Sequence, residues 1–315
     1  MSEPASAPGP GGFRSGFVCF VGRPNAGKST LMNALVGRKI AITSPKPQTT
    51  RHTVRGIVHR ADGQLVVIDT PGVSRPRSLL QERLNDLVRD TWAEVDVVAL
   101  VLPSDERIGP GDRYLAGQLA RLRGGPSVVA VATKTDLVSP PRLARHLAGI
   151  GALEGECGLA LEQVVPCSAL VGDQVDEVAD VLLGLMDPGP AFYPDGELTD
   201  EPDETLAAEL IREAALEEAR DELPHSITVS IVEMGLREDR DGRRPLLDIH
   251  ADLVVERDSQ KGIMVGRGGE RVKRIGTRAR RQISSLLGTP VRLDLRVKVV
   301  RDWQRDAKQL NRLGF

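Results

Sequence analysis

The stretch Gly22-Arg23-Pro24-Asn25-Ala26-Gly27-Lys28-Ser29 constrains this chain most, because it fits G-x-x-x-x-G-K-[ST] and has the right flanks. Before it, Phe17-Val18-Cys19-Phe20-Val21 is short and apolar enough for a buried strand. After it, Thr30 to Val36 places Leu31, Leu35 and the small Ala34 at helical spacing. Strand, glycine loop and helix turn backbone N–H groups inward on a polyphosphate and add the positive end of the helix dipole. Lys28 would then reach the β and γ phosphates, and Ser29 would offer a hydroxyl to Mg²⁺, which takes octahedral oxygen ligands. A glycine-rich turn with a chance lysine is the blander reading. The flanks argue against it, although the loop alone does not separate ATP from GTP.

Three further motifs follow. Asp69-Thr70-Pro71-Gly72 closes the apolar run Leu65-Val66-Val67-Ile68; its carboxylate suits Mg²⁺, and Gly72 lets a backbone N–H approach the γ phosphate. Thr133-Lys134-Thr135-Asp136 ends Val128-Val129-Ala130-Val131-Ala132 and resembles the N-K-x-D guanine signature of GTPases. A fixed Asp136 carboxylate accepts hydrogen bonds from guanine N1–H and the 2-amino group; adenine has neither donor, so GTP is favoured. Thr133 stands where asparagine is usual. That residue mainly ties this loop to the phosphate loop, so altered affinity is expected rather than lost specificity. Ser168-Ala169-Leu170, after Val164-Val165-Pro166-Cys167, fits the short S-A-[KL] motif that meets the guanine carbonyl. Thr49 and Thr50 lie in the polar loop between Ile42 and Val54, with Thr50 favoured for the Mg²⁺ contact.

The phosphate loop with Pro24-Asn25, the run Pro47-Gln48-Thr49-Thr50-Arg51-His52 and a late Gly266-Arg267-Gly268-Gly269 together resemble the Era GTPase family over nearly the whole chain. The resemblance implies a doubly wound, mostly parallel α/β P-loop GTPase domain followed by an α+β type II KH domain. The expected division is a disordered extension at 1–15, a G domain at 16–186, a linker at 187–204 and an RNA-binding domain at 205–315. It also implies GTP and GDP as ligands, Mg²⁺ as cofactor, the single-stranded 3′ end of small-subunit rRNA as target, and maturation of the 30S subunit as role. The nucleotide contacts carried over are residues 22–30, Asp69 to Val73, Thr133 to Asp136 and Ser168 to Leu170.

Residue counts fit two domains, since 315 residues with 40% hydrophobic content allow two separate cores. No apolar run approaches a membrane span and no leader pattern is seen, so a cytoplasmic protein is expected; the family adds peripheral membrane contact, for which only a basic surface speaks. Cys19, Cys157 and Cys167 form no ligand pattern, and His52, His59, His146, His225 and His250 lack metal-ligand spacing. A monomer is expected. The net charge of -2 conceals an asymmetry, with 12 acidic against 2 basic residues from Asp195 to Glu222, and 16 Lys plus Arg against 7 Asp plus Glu from Ala251 to Phe315.

Beyond the proline- and glycine-dense 187–194, the pattern changes. Thr205 to Leu223 reads as an amphipathic helix, Ile227 to Val232 and Leu246 to Val255 as strands, Gly262 to Gly269 as a loop, Glu270 to Leu287 as a helix and Val291 to Val299 as a last strand. This α-β-β-α-α-β order resembles a type II KH domain, whose G-x-x-G loop clamps the backbone of about four nucleotides. Gly266 and Gly269 would be the outer glycines, Arg267 and Gly268 the pair between. Arg271, Lys273, Arg274, Arg278, Arg280 and Arg281 would supply charge, and Ile263, Met264, Val265 and Ile275 an apolar groove for bases. A glycine turn before a solvated basic helix is the alternative. Aromatic content of 3% favours a KH groove over surfaces that stack bases on aromatic rings, with Trp303 and Phe315 expected to serve packing.

Val73 follows D-T-P-G where Ras-like enzymes place a water-orienting glutamine, so hydrolysis is expected to be slow, on the order of 10⁻⁴ to 10⁻³ s⁻¹. Related GTPases with an apolar residue there use a phosphate-loop asparagine to help hold K⁺, which gives Asn25 two readings: a K⁺ contact or a shaper of the loop. Two functions remain open, a hydrolysing switch that gates RNA binding and a KH module beside a G domain that holds nucleotide only structurally.

Overall fold

Valine-rich runs bounded by glycine, proline and polar turns form the first sheet, in a computed structural model that describes residues 12–44, 46, 49–73, 76, 78–122, 124–219, 226–237 and 245–315. Its strands are β1 (Arg14–Val21), β2 (Val54–Arg60), β3 (Gly63–Asp69), β4 (Val97–Pro103), β5 (Ser127–Thr133) and β6 (Gln163–Pro166), in the order β2-β3-β1-β4-β5-β6. Only β2 runs antiparallel to its neighbour; the other pairings are parallel. Every residue of β3 and β4 is buried, as expected of strands covered on both faces. The helices are α1 (Lys28–Val36), α2 (Leu79–Glu94), α3 (Pro110–Leu119), α4 (Pro140–Cys157) and α5 (Val175–Gly184). Val88, Trp92, Leu115, Leu119, Ile150 and Leu153 from α2, α3 and α4 close over Val98, Leu100, Val128 and Ala130. The phosphate loop lies between β1 and α1, and the D-T-P-G turn leaves the end of β3, the strand beside β1.

Packing groups the chain into two units: 1–39, 53–73 and 86–200 in one, 40–52, 74–85 and 201–315 in the other. Residues 187–200, expected as a linker, are hydrogen-bonded within the first unit. The Gln64 side chain, fully buried, accepts from the Phe192 and Tyr193 amides at 2.7 and 3.0 Å and donates to the Tyr193 carbonyl at 2.9 Å. The Ile57 amide of β2 donates to Leu198 O at 2.9 Å, and Arg55 pairs with Asp200 at 3.0 Å.

The second unit contains α6 (Asp203–Glu218), β7 (Thr228–Arg237), β8 (Leu246–Val255), α7 (Asp258–Val265), α8 (Glu270–Leu287), β9 (Val291–Val299) and α9 (Ala307–Arg312). Its sheet runs β7-β8-β9, with β7 antiparallel and β9 parallel to β8. Leu247, Ile249, Ala251 and Leu253 alternate along β8 with polar residues and join Leu210, Ile211 and Ala214 of α6 and Ile275, Ala279 and Ile283 of α8 in one core. Trp303 is fully buried among Leu80, Leu84, Val254 and Leu310, with Phe315 packed against this group, so both aromatics do pack.

Two expectations require correction. Gly262 to Val265 are not loop but the last half of helix α7; a lone glycine inside eight residues did not outweigh the packing of Met264. Met264 and Ile275 are fully buried in the core, so neither lines a groove for bases. Of the 1–15 expected as disordered, Arg14 and Ser15 begin β1, and the helix expected to reach Leu223 gives way at Ala219, whose ψ of 144° is extended; residues 1–11, Pro47, Gln48, 220–223 and His225 lie outside the described residues.

Candidate functional site

The phosphate loop owes its shape to two consecutive departures from ordinary backbone, with Asn25 at φ 62° and Gly27 at φ 99°. Gly27 precedes α1 without a side-chain cap, so the first amides of that helix are offered to a ligand rather than to the chain itself. Lys28 is buried, its Nζ donating to the Gly22 and Arg23 carbonyls at 3.1 Å each, which holds the ammonium along the loop. Burial pushes its pKa below the ordinary lysine value while Asp69 opposes the shift; a phosphate would favour the charged form further.

Asp69 is fully buried at the end of β3, and the Ser29 hydroxyl donates to it at 2.6 Å. A hydroxyl and a carboxylate at this separation are a hard oxygen pair that fits Mg²⁺. Thr50, the third expected contact, is buried and lies in 40–52, which groups with the second unit, whereas Ser29 and Asp69 are brought together in the first. Gly72 runs close against the loop: a Cβ there would stand 3.0 Å from the Pro24 nitrogen, so a side chain would press on the loop backbone. Thr70 donates to Phe20 O at 2.9 Å and Pro71 is buried, which fixes the turn to β1. Val73 packs on the apolar cluster of the first unit.

Thr133 hydrogen-bonds the Ala26 carbonyl at 2.6 Å, so a hydroxyl makes the link to the phosphate loop expected of asparagine. Lys134, at φ 58°, pairs with Asp105 at 3.3 Å. Thr135 donates its amide to Cys167 O at 3.3 Å, and the Ser168 hydroxyl donates to Asp136 Oδ1 at 2.5 Å, orienting the carboxylate for two parallel donors on a base edge. Ala169 and Leu170 follow in the turn, with Leu170 exposed. Thr30 continues α1.

Arg23 departs from expectation in where its side chain goes. Its guanidinium is held by Asp112 at 2.7 Å and Glu106 at 2.9 Å, leaving only its backbone to the loop. No local pattern marks Asp105, Glu106 and Asp112; the first two lie in the β4–α3 connection and Asp112 in the first turn of α3.

In the second unit, Gly266, Arg267, Gly268 and Gly269 form the tight turn between α7 and α8. Its three glycines have φ of 75°, 60° and 81°, angles that L side chains rarely adopt. Ile263, Arg267 and Lys273 are exposed beside it. Arg271, Arg274 and Arg278 recur at helical spacing on α8 and meet acidic residues of α6: Arg274 Nε and Nη2 reach Glu218 at 3.0 and 2.7 Å, Arg271 lies 3.7 Å from Glu218, and Arg278 pairs with Glu217. Among the described residues no group of three or more His, Cys, Asp or Glu could hold a metal, and no helix is long and apolar enough to cross a membrane.

Residues 17–134 match the sequence family described as 50S ribosome-binding GTPase, and residues 222–304 match the KH domain family. GTPase Era of a Nocardioides species is 62% identical over 315 residues, all of both chains, and GTPase Era of Streptomyces coelicolor is 62% identical over 302 residues, 96% of this chain and 95% of that one. A variant of Aquifex aeolicus Era bound to GDP·AlF₄⁻ has a TM-score of 0.89 at 34% identity, covering 96% of this chain and 99% of its own. A structure of Era with MgGDPNP and nucleotides 1506–1542 of 16S rRNA has the same TM-score, identity and coverage.

Proposed function

We propose, from the premise that this chain belongs to the Era family of GTPases, that it is a slowly hydrolysing GTP switch whose KH domain takes the 3′ end of 16S rRNA during maturation of the 30S subunit. The observation that carries the reading is the likeness, over 96% of the chain, to an Era structure holding both MgGDPNP and 16S rRNA nucleotides.

Mg²⁺, when bound, supplies charge that offsets the developing negative charge on the transferred phosphoryl group. The chain's own part is positioning. Lys28 and the open amides of α1 bind the phosphates, Ser29 and Asp69 hold oxygen donors together, and the Gly72 backbone lies at the loop where a γ phosphate is sensed. Asp136, steadied by Ser168, selects guanine. Thr50 would offer a further hydroxyl to Mg²⁺ in the GTP state. Val73, an apolar residue, leaves water positioning to backbone or to a partner, in keeping with slow turnover. Asn25 either contacts K⁺ or only shapes the loop; equal turnover in K⁺ and Na⁺ at one ionic strength would remove the first reading. The nucleotide-binding domain is the unit that runs on to Asp200, past the expected boundary at 186, and the RNA-binding domain lies within 201–315. The protein acts as a monomer in the cytoplasm, with its basic carboxy-terminal surface available for peripheral membrane contact.

RNA binding is assigned to Ile263, the 266–269 turn, Arg271, Lys273, Arg274 and Arg278. The deciding experiment is titration of an oligonucleotide matching the 3′ end of small-subunit rRNA with GDP, with a non-hydrolysable GTP analogue and without nucleotide. Tighter binding with the analogue supports the switch. Equal binding leaves a KH module beside an uncoupled GTPase, and no binding removes the rRNA target.

A further inference from the structure

We infer that Glu217 and Glu218 form an internal polyanion that competes with RNA phosphates for the guanidinium groups of α8, and so set the affinity and salt dependence of the RNA interface. The inference rests on the RNA-binding reading above.

Arg271, Arg274 and Arg278 fall on one side of the helix, at intervals of three and four. All three are engaged by two consecutive carboxylates at the end of α6. The Arg274–Glu218 pair is a two-point fork, the geometry by which a guanidinium also takes a phosphate. A carboxylate in that fork occupies the two N–H groups that a phosphate would need. Arg271 and Arg274 share Glu218, so a strand that displaces this one side chain frees two cations.

The surroundings offer a contrast. Among the described residues, no ion pair holds Arg267, Lys273, Arg280 or Arg281, although they lie in the turn before α8 or on α8 itself. The carboxylates therefore reach only the row of α8 that faces α6. Exposed ion pairs of this kind contribute little to folding. Their larger effect falls on binding, because each must be exchanged before its arginine meets RNA. Two fixed negative charges beside the strand also reduce the counterions released when it binds. The apparent salt slope is then shallower than the arginine count implies. A short or poorly placed polyanion cannot displace both carboxylates, whereas a strand offering phosphates along all three positions can.

The test uses the full chain and its Glu217→Gln/Glu218→Gln variant, titrated with the 3′-end oligoribonucleotide at several salt concentrations. A thermal melt and circular dichroism spectrum matching the parent chain serve as the check that folding is intact. The expected result is about tenfold tighter RNA binding at low salt and a slope of log K against log salt that steepens by about 1. The same pair of substitutions is then placed in a chain carrying Arg271→Gln, Arg274→Gln and Arg278→Gln, where the gain should vanish. If the gain persists there, the effect is net charge alone and the competition is overturned. Unchanged affinity and slope in the glutamine pair, with the parent chain binding RNA, overturn it as well. A parent chain that binds no RNA overturns the RNA-binding reading itself, and the inference falls with it.

Discussion

Thr133 shows how one small side chain preserves a loop-to-loop link with different atoms. Its hydroxyl reaches the Ala26 carbonyl at 2.6 Å from a buried position, so Thr133→Ala leaves that acceptor without this donor. The expected cost is about 1–2 kcal/mol, roughly tenfold in GDP affinity by fluorescence titration, with preference for guanine over adenine retained because Asp136 is untouched. Asparagine at the same position should restore most of the affinity. Cys19 makes the opposite point: burial pushes its thiol up to about 12, so it is a packing residue beside Thr70 rather than a nucleophile.

Helix α6 carries an unusual load of charge into a core. Glu209, Arg212 and Glu213 are all buried; Glu209 and Arg212 pair at 2.6 Å, Arg212 also donates to the Thr49 carbonyl, and Glu213 accepts from the Thr43 amide at 2.8 Å. Arg51 is buried beside them, donating to Ile227 O at 2.7 Å and lying 5.6 Å over the Trp303 ring, while His52 stacks on Phe315 at 4.6 Å. Thr43, Thr49, Arg51 and His52 are thus held in the second unit by polar, ionic and aromatic contacts. Burial lowers the His52 pKa below 6.5, so the folded state prefers the neutral ring. Its contribution to stability is present above pH 6.5 and is lost as pH falls through the lowered value. For Glu209, burial alone would raise the pKa, but Arg212 holds it below the ordinary 4.5. That contribution is present above pH 4.5 and lost as pH falls further. Thermal melts should therefore show two successive losses on acidification, and His52→Phe should abolish the first. Glu209→Gln removes the carboxylate charge that the buried Arg212 pairs with and should cost about 3 kcal/mol in a urea midpoint.

Legibility in the sequence followed the range of the interaction. Helix Glu270–Leu287, strands Leu246–Val255 and Val291–Val299, and the strand before the phosphate loop were readable because periodicity and glycine punctuation are local. Gly262 misled because punctuation was read without knowing that Met264 sinks into the core. The Arg23–Asp112 pair and the carboxylates facing Arg271, Arg274 and Arg278 join residues 53 to 89 positions apart, beyond any local pattern.

At the scale of the whole molecule, 40–52 and 74–85, which flank the nucleotide motifs in sequence, group with the KH-containing unit. Linkage requires that whatever factor a GTP analogue imposes on RNA affinity, RNA imposes on the analogue's, read by titrating each in the presence of the other. The strap at 187–200 has a practical corollary for anyone dissecting the chain. Leu198 O occupies the outer amide of edge strand β2, and the strap backbone satisfies the buried Gln64. A G-domain fragment that stops at Met186 would expose an unpaired sheet edge, a template for intermolecular strand pairing. It should oligomerise in light scattering, where a fragment ending at Asp200 stays monodisperse.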